Sequence, residues 1–186
     1  MFSQDWFESL AQSNFEKNIF PVFASRPIQY LEIGCFEGNS VSYMFKNVLT
    51  HPDAHATVID PFEESNTHPI TLRKFKENLA QHLDNITIIK GYSNVELQKL
   101  EKEYYDLIYI DGDHTSYAAL VDGILSFPLL KKGGTMVFDD YVWLGGNPDD
   151  LHHSNNPYTG INYFLKMYEG QYELVDKNWQ VTIRKL

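Results

Sequence analysis

The chain has a single cysteine, Cys35, among 186 residues. One thiol excludes an internal disulfide and a zinc site built from several thiolates, and it fits a reducing compartment. No run is long and apolar enough to cross a bilayer, which takes about 20 consecutive apolar residues. The first residues, "MFSQDWFESLAQSNFEKNIF", lack a basic segment followed by an apolar one and do not read as a secretory signal. These absences lead us to expect a cytosolic location. Basic residues are also scarce: 15 Lys+Arg stand against 25 Asp+Glu, for a formal net charge of -10. A nucleic-acid backbone or an anionic membrane surface would be repelled over most of such a surface, so neither is expected as a partner.

What is abundant is apolar and aromatic side chain, 43% and 15% of residues, enough for one substantial core. No shift in composition divides the chain, so residues 1–186 read as one domain. Phe2, Trp6, Leu10, Phe15 and Phe20 recur at roughly helical intervals, which predicts an amphipathic helix over 4–20 within an amino-terminal segment 1–27, with Pro21 and Pro27 bracketing a loop. Five apolar runs follow: "IQYLEIG" (28–34), "ATVID" (56–60), "NITIIKG" (85–91), "YDLIYID" (105–111) and "GTMVFDD" (134–140). They alternate with helix-length segments near 39–50, 70–83, 94–102 and 117–130. Continuous apolar runs joined by crossovers of this length predict an α/β fold with a mostly parallel sheet and helices on both faces. The last residues, "YELVDKNWQVTIRKL", read as two strands around Asp176-Lys177-Asn178, a hairpin closing one edge and bringing the sheet to seven strands. The irregular stretch 144–160, "LGGNPDDLHHSNNPYTG", reads as a lid or substrate loop.

In an open parallel sheet the carboxyl ends of the strands share one rim, where ligands bind. Here those ends are polar: Glu32 and Gly34, then Asp60, then Tyr92 and Ser93 just past Gly91, then Asp111, then Asp139 and Asp140. Crowded carboxylates call for a cation, carried by a ligand or supplied as a metal. The first loop, "LEIGCFEGNS", is glycine-rich at a strand-to-helix turn and brings Cys35 and Ser40 to the same place. It is a poor dinucleotide loop, because G-x-G-x-x-G would need glycine at Phe36 and Asn39. E-x-G-x-x-x-G, from Glu32 through Gly34 to Gly38, suits instead a ligand with an adenosine and no phosphates, with Asp60 placed to accept a ribose diol. An ammonium and a sulfonium on that ligand would be drawn to Glu32 and Asp111.

The ordered set "LEIGCFEGNS", "VIDPF", "IDGDHTSY" and "GGTMVFDD" resembles class I S-adenosylmethionine-dependent methyltransferases, in particular the small O-methyltransferases of macrocin, cephalosporin and catechol type. The resemblance implies a Rossmann-like sheet and S-adenosylmethionine as cofactor, held by Glu32, Gly34, Cys35, Gly38, Ser40, Asp60, Tyr92, Ser93 and Asp111. It departs at Phe36, which stands where the commonest loop of this class has its central glycine. It also implies a divalent metal on Asp111, Asp139 and Asp140. Oxygen-only ligands favour magnesium, admit calcium or manganese, and disfavour zinc. The catechol-type base lysine is matched in position by His114, whose ordinary pKa of about 6.5 suits proton acceptance near neutral pH. The expected catalytic residues are thus His114 and Asp111, and the expected partner is a small hydroxylated acceptor, a sugar or a phenolic diol. Trp143 and Tyr141 could form an aromatic wall for that acceptor.

Plainer readings stand beside these. Asp113 or Thr115 could simply cap the helix that begins near Ser116. Cys35 has no basic neighbour to activate it as a nucleophile. A silent cofactor-binding module and a methyltransferase of macromolecules remain the alternatives, and Phe36 argues against a nicotinamide-dependent oxidoreductase.

Overall fold

The five apolar runs become strands β1 (Gln29–Ile33), β2 (His55–Asp60), β3 (Ile86–Lys90), β4 (Tyr105–Ile110) and β5 (Leu130–Phe138) in the computed structural model, which describes residues 2–3, 7, 11–63 and 71–186. Strands β6 (Tyr172–Lys177) and β7 (Val181–Lys185) complete one seven-stranded sheet in the order β3-β2-β1-β4-β5-β7-β6. The first five pair in parallel, and β7 joins β5 antiparallel with β6 outside it. The expected mixed sheet is therefore the observed one. Strand order reverses between β1 and β4, which opens a crevice at their carboxyl ends.

Side chains alternate between faces along the strands, so the sheet feeds two cores. Tyr30, Val58, Leu107, Tyr109 and Val137 face one side. There they meet an amino-terminal helix α1 over residues 12–23, then α2 (Asn39–Asn47) and α3 (Thr71–Asn78), through Phe15, Ile19, Met44 and Phe75. Leu31, Ile33, Ile59, Ile108, Ile110 and Phe138 face the other side. A short α4 (Ser93–Glu96) follows β3, while α5 (Ser116–Ser126) and α6 (Tyr158–Met167) cover this second face with Ala119, Ile161 and Phe164. Thr115 caps α5 by accepting the N–H of Ala118 at 3.2 Å, and Asp113 accepts the N–H of Thr115 at 2.8 Å. The plain capping reading therefore holds for Thr115, while Asp113 closes a turn on the N–H of the cap residue, ahead of the helix.

Three local expectations change. Pro21 does not end the first helix, which runs on through Phe20–Phe23 directly after a π-helical turn. The turn before it is π-helical, Phe15–Ile19, and its wider winding swings Phe20 outward to 44% exposure while Phe15, Ile19 and Phe23 are buried. Trp6 and Leu10 of the expected stripe lie outside the described residues. The hairpin turn, finally, lies at 178–180 rather than 176–178, since the ladder continues to Lys177↔Val181 and Asn178 donates its N–H to the carbonyl of Gln180 at 2.9 Å.

Helix α1 docks on that hairpin by polar contacts. Lys17 Nζ reaches Asp176 Oδ2 at 2.7 Å, Asn18 donates to the same oxygen at 2.8 Å, and Asn14 donates to Gln180. Phe15 meets the ring of Tyr109 edge-on at 5.0 Å, tying the amino-terminal helix to the centre of β4.

Candidate functional site

A cavity of about 560 Å3 opens at the carboxyl ends of β1, β2 and β4. Its floor is the first loop, Gly34 to Glu37, and its walls include Asp60, Tyr92, Ser93 and the segment Asp111 to His114. Phe2 and Phe7 form the amino-terminal side. Its size falls within the roughly 300–1,000 Å3 of small-molecule sites. Among the described residues lining it, Glu37, Asp60, Glu63, Asp111 and Asp113 carry carboxylates and none is Lys or Arg. A cationic ligand is attracted to such a cavity and a phosphate is not.

The path of the first loop is set from β2. Asp60 Oδ2 accepts the backbone N–H groups of Cys35 and Phe36 at 3.0 and 2.9 Å, and Oδ1 accepts that of Phe62 at 2.6 Å. Phe36 lies in the left-handed region with φ 46°, the position that the common loop gives to glycine. Gly34, with φ 79°, passes so close to the end of β4 that a Cβ there would lie 2.0 Å from the carbonyl oxygen of Asp111. The residue must therefore be glycine because of the neighbouring strand. Gly38 begins α2 with φ 84° and lies against Phe75 and Leu79, beneath the cavity.

Glu32 is fully buried below the loop, where it accepts hydrogen bonds from Tyr30 Oη at 2.5 Å and from Ser40 Oγ. Burial pushes its carboxyl up to about 7, the two hydroxyls pull it down, and Asp60 and Asp139 push it up further. Ser40 lines the cavity; Glu32 and Gly38 do not. Cys35 is 3% exposed and burial raises its thiol well above the ordinary range, in keeping with an unreactive side chain. Tyr92 is exposed, and its hydroxyl donates to Glu63. Ser93 lies beside Asp122 of α5, a 2% exposed acid. Burial pushes Asp122 up to about 6, the Ser93 hydroxyl draws it back, and Asp113 adds to the rise.

At the ends of β4 and β5 the acids divide differently from expectation. Asp139 turns inward: Tyr109 Oη donates to its Oδ2, and the N–H of Asp140 donates to its Oδ1 at 2.7 Å. Burial and the charge of Asp140 push Asp139 up to about 6, with the Tyr109 hydrogen bond drawing it down. Asp140, at φ 56°, turns instead toward His114, with Nδ1 to Oδ2 at 2.9 Å. Asp111, His114 and Asp140 each offer a ligand atom, all within 4.8 Å of one another. The triad that could hold a metal thus contains His114 where Asp139 was expected. Desolvation lowers the imidazole pKa, but the hydrogen bond and charge of Asp140, with Asp139 and Asp113, outweigh it and raise His114 overall. Desolvation raises Asp111 well above the ordinary range, and Asp139, Asp140 and Glu32 add to it.

Trp143 packs against the His114 ring with centroids 4.8 Å apart. Tyr141 is buried instead against Tyr158, at 4.8 Å, and beneath Lys177, so it forms no cavity wall. None of residues 144–160 lines the main cavity either. That loop closes on itself through Asn156, which is 0% exposed, accepts the N–H of Asn147 at 3.0 Å and donates to the carbonyls of Asn147 and Asp150 at 2.9 and 2.8 Å. Sequence reasoning passed over Asn156, Glu37, Phe7 and Asp122. For Asp122 a signal existed, a lone acid in the apolar helix "ALVDGILSF".

Residues 31–141 match the family described as "Methyltransferase domain". The chain is 34% identical over 134 residues to the uncharacterized protein R132 of Acanthamoeba polyphaga mimivirus, covering 67% of this chain and 57% of that protein. It is 30% identical over 119 residues to Tapetum-specific methyltransferase 1 of Arabidopsis thaliana, covering 62% and 47% respectively. The chain spans about half the length of these curated relatives, 57% and 47%. A solved O-methyltransferase from Bacillus cereus in complex with SAH aligns over 100% of this chain and 93% of its own, with a TM-score of 0.64 and 18% identity, a likeness of fold.

Proposed function

The chain belongs to the methyltransferase-domain family, and on that premise we propose that it transfers a methyl group from S-adenosylmethionine to an oxygen of a small hydroxylated acceptor, a sugar or a phenolic diol, with a divalent cation at the rim. The carrying observation is the cavity at the reversal between β1 and β4, lined by five carboxylates and no Lys or Arg among the described residues. Its charge matches a donor that carries an ammonium and a sulfonium, and its volume of about 560 Å3 accommodates a nucleoside with an amino-acid tail. The Bacillus cereus neighbour, an O-methyltransferase in complex with SAH, and the Arabidopsis methyltransferase support the same reading.

S-adenosylmethionine, when bound, supplies a methyl group activated by its sulfonium. The residues expected to contact it are Gly34, Cys35, Ser40, Asp60, Tyr92, Ser93 and Asp111. Asp60 also holds the loop in shape through the N–H groups of Cys35 and Phe36. Glu32 acts from beneath, through Ser40. Asp111, His114 and Asp140 have the spacing of a chelating set, so a divalent cation fits them. Such an ion would lower the pKa of a coordinated acceptor hydroxyl. Two roles are open to His114: proton acceptor through Nε2, or ligand through Nδ1. Trp143 limits the rotation of its ring in either role.

Titration calorimetry with S-adenosylmethionine and SAH tests the donor. Saturable binding is expected, and none at millimolar concentration sinks the reading. Incubation of the protein with S-adenosylmethionine and a panel of catechols and sugars, with and without chelator, tests the transfer. Donor binding without any methylated product would leave a binding module.

A further inference from the structure

Helix α5 buries one acid without a cation. Asp122 is 2% exposed in a row with Ala119, Gly123 and Ser126, and among the described residues no Lys, Arg or His forms an ion pair with it. We propose that Asp122 is a positioning residue for the methyl donor: it holds the Ser93 hydroxyl so that Ser93 meets the cavity as a hydrogen-bond acceptor, which favours a base with an exocyclic amine over one with an oxo group. The inference rests on the reading of the cavity as the donor site and does not involve the cation.

Two contacts place the carboxylate behind the cavity wall. Asp122 accepts a hydrogen bond from the hydroxyl of Ser93, the first residue of α4. Its Oδ2 also lies against Gly112, where an added Cβ would stand 3.3 Å from it. Ser93 and Gly112 both line the cavity, and Asp122 does not. The acid thus braces the chain after β3 and after β4 from behind, and it reaches a ligand only through them. Burying a carboxylate is costly unless hydrogen bonds offset the loss of water, and an apolar side chain of similar volume packs an apolar helix at least as well. Packing alone therefore does not account for an acid at this position.

The direction of the Ser93 hydrogen bond decides what that hydroxyl can do. A hydroxyl has one proton to give and two lone pairs to offer. With its proton on Asp122, Ser93 can only accept from the cavity side. An adenosyl donor brings two kinds of N–H, the ammonium of its tail and the exocyclic amine of its base. The ammonium shares its carbon with a carboxylate, which Asp122 and the neighbouring Asp113 repel, so the neutral base is the partner that suits this wall. An oxo group in place of the amine sets lone pair against lone pair at Ser93.

Calorimetry compares SAH with its deaminated analogue, S-inosylhomocysteine, on the full chain and on Ser93→Ala, Asp122→Ala, Asp122→Asn and the double variant Ser93→Ala with Asp122→Ala, circular dichroism checking each fold. The unaltered protein should prefer SAH by about tenfold or more, the worth of one hydrogen bond. That preference should fall below about threefold in Ser93→Ala and in Asp122→Ala, fall no further in the double variant, and return in Asp122→Asn, which keeps an acceptor oxygen. A purely structural Asp122 would weaken both ligands alike in Asp122→Ala and leave their ratio unchanged, and that result overturns the proposal. Where Asp122→Ala does not fold, Asp122→Leu, which keeps the forked shape without an acceptor, is read in its place. Equal binding of the two ligands by the unaltered protein also overturns the proposal and leaves the donor reading standing. SAH that fails to bind at millimolar concentration sinks the donor reading and this inference with it.

Discussion

Asp60 Oδ2 accepts the backbone N–H of Phe36 at 2.9 Å, so the acid that ends β2 shapes the loop that follows β1, 24 residues earlier. The same carboxylate holds Cys35 and Phe62, which makes it the keystone of the cavity floor as well as one of its walls.

Asp60→Ala should cost at least about 3 kcal/mol, because three backbone N–H donors lose their acceptor and each orphaned buried donor costs roughly 1–3 kcal/mol. Urea denaturation measures the loss. SAH affinity should fall in parallel, and less so in Asp60→Asn, which keeps one acceptor oxygen. An unchanged unfolding midpoint in Asp60→Ala would contradict this role.

Gly34→Ala places a Cβ 2.0 Å from the Asp111 carbonyl at a φ of 79° that alanine disfavours. We expect a loss of about 3 kcal/mol or more, in the range of overpacking combined with backbone strain. The end of β4 must shift to relieve the clash, so cation affinity at Asp111 should drop even where the variant still folds. Thermal melting and Mn2+ titration of the same sample report both effects.

Glu32 gives a pH dependence whose sign follows from its burial. Its carboxyl is raised from 4.5 to about 7, so the folded state holds the proton more tightly than the unfolded one. Below about pH 4.5 both states are protonated and nothing is lost; above about pH 7 both are ionised and the folded state bears a penalty of roughly 3 kcal/mol. On this group's account stability falls as pH rises across that window. Glu32→Gln should match the unaltered protein at pH 4.5 and exceed it at pH 8, as measured by urea midpoints. A variant that is less stable at pH 8 than at pH 4.5, relative to the unaltered protein, would show that the two hydroxyls outweigh the burial.

Asn156→Ala removes three hydrogen bonds from a 0% exposed side chain that closes the loop after Trp143. We expect about 2–3 kcal/mol of destabilisation and faster proteolytic cleavage between Asn147 and Asn156. The cavity lies elsewhere, so SAH affinity should change little. A large loss of SAH affinity with unaltered proteolysis would place the loop over the donor after all.

The sheet was legible because its strands are buried on both faces, and such strands announce themselves as unbroken apolar runs between helix-length segments. Gly34 and Asp60 were legible as rim residues for the same reason, since each ends such a run. The division of labour among the acids was not. Asp139 and Asp140 are adjacent in sequence, yet one bonds Tyr109 and the other faces His114, a choice made by the backbone turn at Asp140. The long loop 144–160 looked like a cover, while the cavity lining includes none of it and does include Phe2 and Phe7.

Taken alone, the order of residues determined which strands exist, where each ends and that those ends are acidic, because hydrophobic periodicity and chain polarity are local properties that survive without coordinates. Which carboxylates point at one another, which are spent on backbone N–H groups, and whether an imidazole joins them were decided by packing. Directions of side chains separated by tens of residues depend on strand register, on single backbone turns and on neighbours such as Tyr109 and Trp143, and none of these is written at the position it controls.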